Sequence, residues 1–217
     1  MLLLGLDTAT AAVTAAVADL AGARDVILAE FTVIDARGHG ELFAPAIGKV
    51  LAEAGVDRRD LDAVAVGVGP GPFTGLRVGL VTARVLGAAL DIPVLGVCSL
   101  DALSLAGGLA GPHLVATDAR RREVYAASYD GRARTDGPYV GPASQFATDK
   151  PAVGQGALLH PEAFARAQGP EHVDAGAVCR WVAADLPTLP PNPLYLRRPD
   201  AEVPGARKRA LGPTGDR

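Results

Sequence analysis

Two short stretches of the chain share one design, and that repetition limits the folds open to it. Leu2-Leu3-Leu4-Gly5-Leu6-Asp7 and His113-Leu114-Val115-Ala116-Thr117-Asp118 are both apolar runs that end at an aspartate. Each is followed by an alternating run that closes on a second aspartate, twelve residues after the first, at Asp19 and Asp130. A short uninterrupted apolar run reads as a buried strand, and alternation reads as a strand with one face covered. The chain is therefore expected to open two copies of one sheet with equivalent hairpins, the boundary falling between Gly107-Gly108 and Pro112. With 217 residues there is enough chain for one large or two small domains.

The first copy reads strand, strand, strand, helix, strand, helix. Strands are expected at 2–7, 13–19 and 26–33, with a turn at Gly22. A helix from Gly40, a strand at 63–68, a helix from Pro72 and a strand at 93–97 follow, before a helix that takes Ser99 as its N-cap. Three antiparallel strands followed by crossover helices give a mixed sheet with helices on its faces. The second copy looks reduced. Segment 139–156 is broken by Pro and Gly, and only 161–168 and 175–186 have helical patterns. From Ala201 the chain is rich in Pro, Gly and charge and is expected to be disordered. The division is 1–108, 109–200 and a 201–217 tail.

The turn Gly69-Pro70-Gly71-Pro72-Phe73-Thr74-Gly75 joins a β-branched run to a helix, the position of a phosphate-binding loop. Two prolines remove backbone donors there, and no Lys-Ser or Lys-Thr follows, so the P-loop pattern fails. A tight turn that fixes the entry of the helix is the better reading.

The helix after it carries Gly75, Gly79, Ala83 and Gly87 at every fourth position, a stripe without bulk. Leu76, Leu80, Leu86 and Leu90 form an overlapping face, and Val78, Val81 and Val85 cover more of the circumference. The helix from Gly40 repeats Leu42, Phe43, Ala46, Ile47, Val50, Leu51 and Ala54 at helical spacing and stops at Gly55, with Pro45 expected inside its first turn. A helix apolar nearly all round is covered on more than one side. One cover is the sheet. The other is either a second layer of the same chain or another protein.

The net charge of −3 gives no global reason for direct nucleic-acid binding. The arginine clusters Arg120-Arg121-Arg122, Arg197-Arg198 and Arg207-Lys208-Arg209 could touch phosphates, but Glu123, Asp200 and Glu202 dilute them, and such runs are commonly solvated turns or tails. The N-terminus lacks a basic lead and meets an acid at Asp7, so it reads as a strand and not a signal peptide. No uncharged apolar run reaches membrane-spanning length, and Cys98 and Cys179 sit in apolar settings, so a cytoplasmic location is expected. His39, His113, His160 and His172 include no pair four residues apart, and no Cys-x-x-Cys occurs, so no metal site is expected. His160, just before Pro161, reads as a helix-start residue.

Duplicated sheets with an aspartate at each first hairpin resemble the actin/Hsp70/sugar-kinase superfamily, whose duplicated units are ribonuclease-H-like. More specifically, Asp7-Thr8-Ala9-Thr10, the Gly69–Arg77 loop, Gly96-Val97-Cys98-Ser99-Leu100, Asp118-Ala119-Arg120 with Glu123-Val124-Tyr125, and Leu194-Tyr195-Leu196-Arg197 resemble the TsaB family, in the right order across nearly the whole chain. That family usually has Ser at the positions of Gly40 and Pro72. The resemblance implies a non-catalytic subunit, without a cofactor, of the machinery that places threonylcarbamoyl on the tRNA adenosine beside the anticodon. It implies pairing with a TsaD-like catalytic subunit, joining by a TsaE-like ATPase, contact with tRNA through the complex, and a homodimer when the chain is alone. The pairing residues expected on this basis are His39, Leu42, Phe43, Ala46, Ile47 and Val50 on the first helix, with Phe73, Leu76, Gly79, Leu80, Ala83 and Leu86 on the second. Asp7, Thr8, Thr10 and Asp118 would be the remnant of a nucleotide pocket, since Ala9 and Ala119 stand where close approach to phosphate favours glycine. The alternative is an ATP-dependent phosphotransferase or a glycoprotease-like metalloenzyme of the same superfamily.

Overall fold

The computed structural model describes residues 1–21, 26–35 and 38–197. The turn at Gly22 and the expected tail, with Arg198 and the cluster at 207–209, lie outside the described residues.

Strands β1 (Leu2–Asp7), β2 (Ala12–Asp19) and β3 (Val26–Ile34) form an antiparallel meander. β4 (Ala63–Gly67) and β5 (Val94–Val97) continue from β1 in parallel, giving the order β3-β2-β1-β4-β5. The second sheet is built from β6 (Pro112–Asp118), β7 (Glu123–Asp130), β8 (Ala133–Pro142), β9 (Ala152–Val153) and β10 (Ala167–Gln168), in the order β10-β9-β6-β7-β8. Its directions repeat those of the first, antiparallel on one side of β6 and parallel on the other. β6 corresponds to β1, and so on through β10 and β5. This is the duplicated ribonuclease-H-like architecture.

What shrinks in the second copy is the helices. The crossover helices α1 (His39–Ala54) and α2 (Phe73–Leu90) have 16 and 18 residues. Their counterparts are a 3-10 turn of four residues, Ala143–Phe146, and α4 (Gln155–Leu159) of five. The closing helices α3 (Ser99–Gly107) and α5 (Ala175–Ala183) have nine each.

α1 and α2 cover one face of the first sheet, packing on Leu4, Leu6, Val13, Val17, Val64 and Val66. α3 and α5 fill the space between the sheets with Leu100, Leu103, Val178, Cys179 and Trp181. α5 lies on β1 and β2 while α3 lies on β6, so the last helix of each copy covers the sheet of the other. The approach is close: a Cβ on Gly5 would stand 2.5 Å from Cys179 Sγ and 2.6 Å from the Ala175 carbonyl. The N-terminal donors of α5 are likewise satisfied across the copies. Ala175 N–H donates to Thr14 Oγ1 and Gly176 N–H to Glu30 Oε1, each at 3.0 Å.

Several local expectations change. Pro45 lies in the second turn of α1, and its ring has no N–H to return to the Glu41 carbonyl; the site is exposed, where water can serve that carbonyl. Residues 161–168 make no helix. One turn returns Ala163 and Phe164 N–H groups to the His160 carbonyl, and the chain then crosses to the sheet edge as β10. His160 ends α4 instead of starting a helix, and its Nδ1 lies 3.1 Å from Glu162. The broken-looking segment after Tyr139 contains the end of β8, an edge strand, where Pro138 and Pro142 forfeit few ladder bonds.

Candidate functional site

The Gly/Pro turn after β4 packs on the first hairpin. A Cβ on Gly71 would run into the Ala9 backbone, and one on Gly67 would collide with the Asp7 carboxylate. The turn brings Gly69 N–H to Ser99 Oγ at 3.2 Å, while Ser99 Oγ donates to Asp7 Oδ2 at 2.6 Å. Ser99 is thus not the N-cap of α3, a position held by Cys98. A buried carboxylate needs the hydroxyl more than the helix end does. Asp7 Oδ1 accepts Ala9 N–H at 2.8 Å, closing the turn. Asp7 is fully buried, and burial pushes its carboxyl up to about 6 against the pull of these donors. Thr8 is buried too and donates to the Gly75 carbonyl at 2.8 Å. Thr10 Oγ1 accepts Ala12 N–H at 3.2 Å.

The second hairpin repeats the turn: Asp118 Oδ1 accepts Arg120 N–H at 2.8 Å. Asp7 and Asp118 therefore do the same backbone work in the two copies. Between the hairpins opens a cleft of about 840 Å³, lined from one side by Thr10 and the first turn of α2 and from the other by Thr117, Asp118, Arg120, Arg121 and Arg197. Of the four expected pocket residues, Thr10 and Asp118 line the cleft, while Asp7 and Thr8 lie behind it in the core. Sequence reading missed Thr117, Tyr125 and His172 as lining residues because they come together only when the second hairpin folds against α2.

Segment 187–197 runs back over the first copy as a strap. Leu189 exchanges two 2.8 Å backbone bonds with Gly96 at the β5 edge, and Leu194 N–H reaches the Val68 carbonyl. Arg84 Nη2 donates to the Pro191 carbonyl and Asn192 Oδ1, both at 2.5 Å, and Tyr195 stacks on Phe73 with ring centroids 4.3 Å apart. Arg197, expected in a basic cluster, is held within the chain. It donates to the Ala119 carbonyl at 2.8 Å and pairs with Glu123. The Leu194–Arg197 motif therefore ties α2 to the second hairpin.

Most of the expected pairing residues are buried within the chain itself. Phe43, Ala46, Ile47 and Val50 of α1, and Leu76, Gly79, Leu80 and Ala83 of α2, are buried against the chain's own sheet and turn. A Cβ on Gly79 would collide with Thr8 Oγ1, and one on Gly87 with Val94. The small-residue stripe lets α2 settle on the sheet. Leu42 and Leu86 are half-buried at the edges of that core, Phe73 lies under Tyr195, and His39 opens α1. The outward faces are different residues. On α2, Val81 and Val85 are 57% and 61% exposed. On α1, Gly40, Ala44, Gly48 and Ala52 recur every fourth residue and are exposed, with open space over both glycines. By length and composition α2 reaches the apolarity of a membrane-crossing helix, mean hydropathy 1.4, yet only 33% of that window is buried.

Comparison with known proteins agrees with this architecture. The family described as "TsaD: tRNA N6-adenosine threonylcarbamoyltransferase" matches residues 27–175. An uncharacterized protein of Mycobacterium tuberculosis is 47% identical over 206 residues, 92% of this chain and 93% of its own. The tRNA threonylcarbamoyladenosine biosynthesis protein TsaB of Bacillus subtilis is 35% identical over 109 residues, 48% of this chain and 46% of that protein. The crystal structure of an uncharacterized protein with similarity to peptidase YeaZ, from Pseudomonas aeruginosa, superposes with a TM-score of 0.77 at 28% identity, covering 90% of this chain and 99% of that one. The chain belongs to the TsaD family of duplicated ribonuclease-H-like proteins, and within it to the TsaB (YeaZ) group.

Proposed function

We propose that this chain is a non-catalytic subunit in the threonylcarbamoyl modification of tRNA, acting by pairing with a TsaD-like catalytic subunit, which a TsaE-like ATPase joins. The observation that carries the reading is the unfilled outer layer of α1 and α2. The exposed Val81 and Val85 lie on the side of α2 away from the face packed on the sheet, and the small residues of α1 offer a second helix a close approach. Pairing is thus assigned to the outward residues, not to the buried stripe. Leaving this face in water is unfavourable at roughly 25 cal/mol per Å², and a two-fold homodimer through the same face would cover it when no partner is present.

The phosphotransferase alternative draws little support from the residues. Asp7, its natural metal or phosphate ligand, is fully buried with both carboxylate oxygens engaged by Ala9 and Ser99. The glycoprotease alternative needs a paired-histidine site, and His113 is engaged by Ser104 and the Gly111 carbonyl. The test is reconstitution. The chain mixed with threonylcarbamoyl-adenylate and tRNA should yield no modified nucleoside, and addition of a TsaD-like subunit and TsaE-like ATPase should yield it. Modification by the chain alone overturns the reading.

A further inference from the structure

We propose that Arg77 and Arg84 make the outer face of α2 selective for a partner helix that carries carboxylates, an inference that rests on the pairing role given above. The first observation is their spacing. Arg77, Val81 and Arg84 are exposed at helical positions i, i+4 and i+7, so they form one row, with Val85 beside it. The two arginines stand about 10 Å apart along the helix axis, on either side of Val81. The second observation is charge. α2 has no aspartate or glutamate from Phe73 to Leu90, and neither guanidinium is paired with a carboxylate among the described residues. The outer face of α2 is therefore apolar and cationic, with no counter-charge on the helix itself.

The strap fixes both side chains. Arg77 Nε donates to the Tyr195 hydroxyl at 3.3 Å, and its guanidinium lies 5.6 Å from the centre of the Phe73 ring. Arg84 engages the Pro191 carbonyl and Asn192 Oδ1 through Nη2 alone. Among the described residues, both Nη groups of Arg77 and the Nε and Nη1 of Arg84 remain open as donors. The anchoring oxygens are neutral, so they orient the guanidiniums without cancelling their charge. A side chain already held loses little rotamer freedom when a partner binds it, and a guanidinium matches the two oxygens of a carboxylate. An ion pair formed beside Val81 and Val85 is partly shielded from water, which strengthens it over a pair in open solvent. Tyr195 is 39% exposed and bonded to Arg77, so the strap itself belongs to the contact surface.

A second copy of the chain matches this face poorly. A two-fold pairing of α2 on α2 would set the arginines of one copy near those of the other. On α1, Glu53 is held by Lys49 at 3.8 Å, and Glu41 stands in the first turn, where the positive helix end favours it. The occupant is thus a different protein: an amphipathic helix of the proposed catalytic partner, with carboxylates about two turns apart around an apolar residue.

Sedimentation velocity and titration calorimetry of the full chain, alone and with a TsaD-like subunit, test this at about 50 mM and about 500 mM salt. Pairing with the subunit should weaken about tenfold at the higher salt, while self-association should hold or strengthen. Arg77→Gln/Arg84→Gln should weaken heteromeric pairing about tenfold and flatten its salt dependence, yet leave self-association at least as strong as the parent's. Arg132→Gln/Lys150→Gln, the same charge change on the second copy, should alter neither association. Melting temperatures report that the variants are folded, and the salt dependence of the parent needs no variant. Heteromeric pairing that ignores salt or tightens with it would overturn the charge selection alone. So would a folded Arg77→Gln/Arg84→Gln variant that binds like the parent or loses both associations alike, or an equal loss in the control. Absence of a heteromer at either salt concentration would overturn the pairing role, and this inference with it.

Discussion

Asp7 is where the chain departs most from what a strand-end aspartate ordinarily does. Burial raises its carboxyl from 3.8 to about 6, so the folded state holds the proton more tightly than the unfolded chain. Stability should therefore fall as pH rises through that interval, by about 3 kcal/mol for this group, and change no further once both states are ionised. Asp7→Asn keeps an oxygen for Ala9 and a polar partner for Ser99 while removing the titration. Urea unfolding between pH 4 and 7 should show the variant gaining on the parent as pH rises; parallel profiles would refute the assignment. The turn made by Asp7 and Ala9 could be read in the sequence because its partners are neighbours. The Ser99 bond could not, since its partner lies 92 residues away and Ser99 also suits a helix start. Gly79 teaches the same lesson. Its place in an every-fourth-residue stripe fits a partner interface, but the structure sets it against Thr8. Gly79→Arg should thus unfold or strongly destabilise the chain, by about 3 kcal/mol or more, whereas Gly48→Arg, over open space, should melt close to the parent.

At the scale of elements, helical periodicity identified α1 and α2 and their apolar faces correctly but not which face the sheet would take. Both faces of α2 are apolar, and the choice is made by depth: the buried face carries Gly79, Ala83 and Gly87 beside Leu76 and Leu80, because Thr8 and Val94 need the room the glycines leave. The strap was legible only as a motif, Leu194–Arg197, without its role. It holds the outside of α2 through Tyr195 on Phe73 and the Arg84 bonds to Pro191 and Asn192. Tyr195→Ala should cost about 1–2 kcal/mol through lost stacking and burial. Hydrogen exchange should show the loss as faster opening of the first turns of α2 than of α5; uniform acceleration would point to a global effect instead.

For the whole molecule, the duplication was readable because each copy begins with the same apolar run and aspartate. The interchange of α3 and α5 was not, because nothing local distinguishes a helix that returns to its own sheet from one that crosses. That interchange makes the cleft a junction: the first copy supplies the start of α2, the second supplies Thr117 and the arginines, and the strap spans both. The reduced helices of the second copy leave the long outer pair, α1 and α2, as the surface to which the proposed pairing is assigned. The most direct test of the pairing account is sedimentation velocity of the parent and the Val81→Glu/Val85→Glu variant, each alone and mixed with a TsaD-like subunit. A charge placed in an apolar interface opposes association by several kcal/mol, and each 1.4 kcal/mol is a tenfold change in affinity. The account predicts that the parent self-associates at tens of micromolar and shifts to a heteromer with the partner, while the variant, melting like the parent, stays monomeric and binds about a hundredfold more weakly. A folded variant that still pairs like the parent would contradict it.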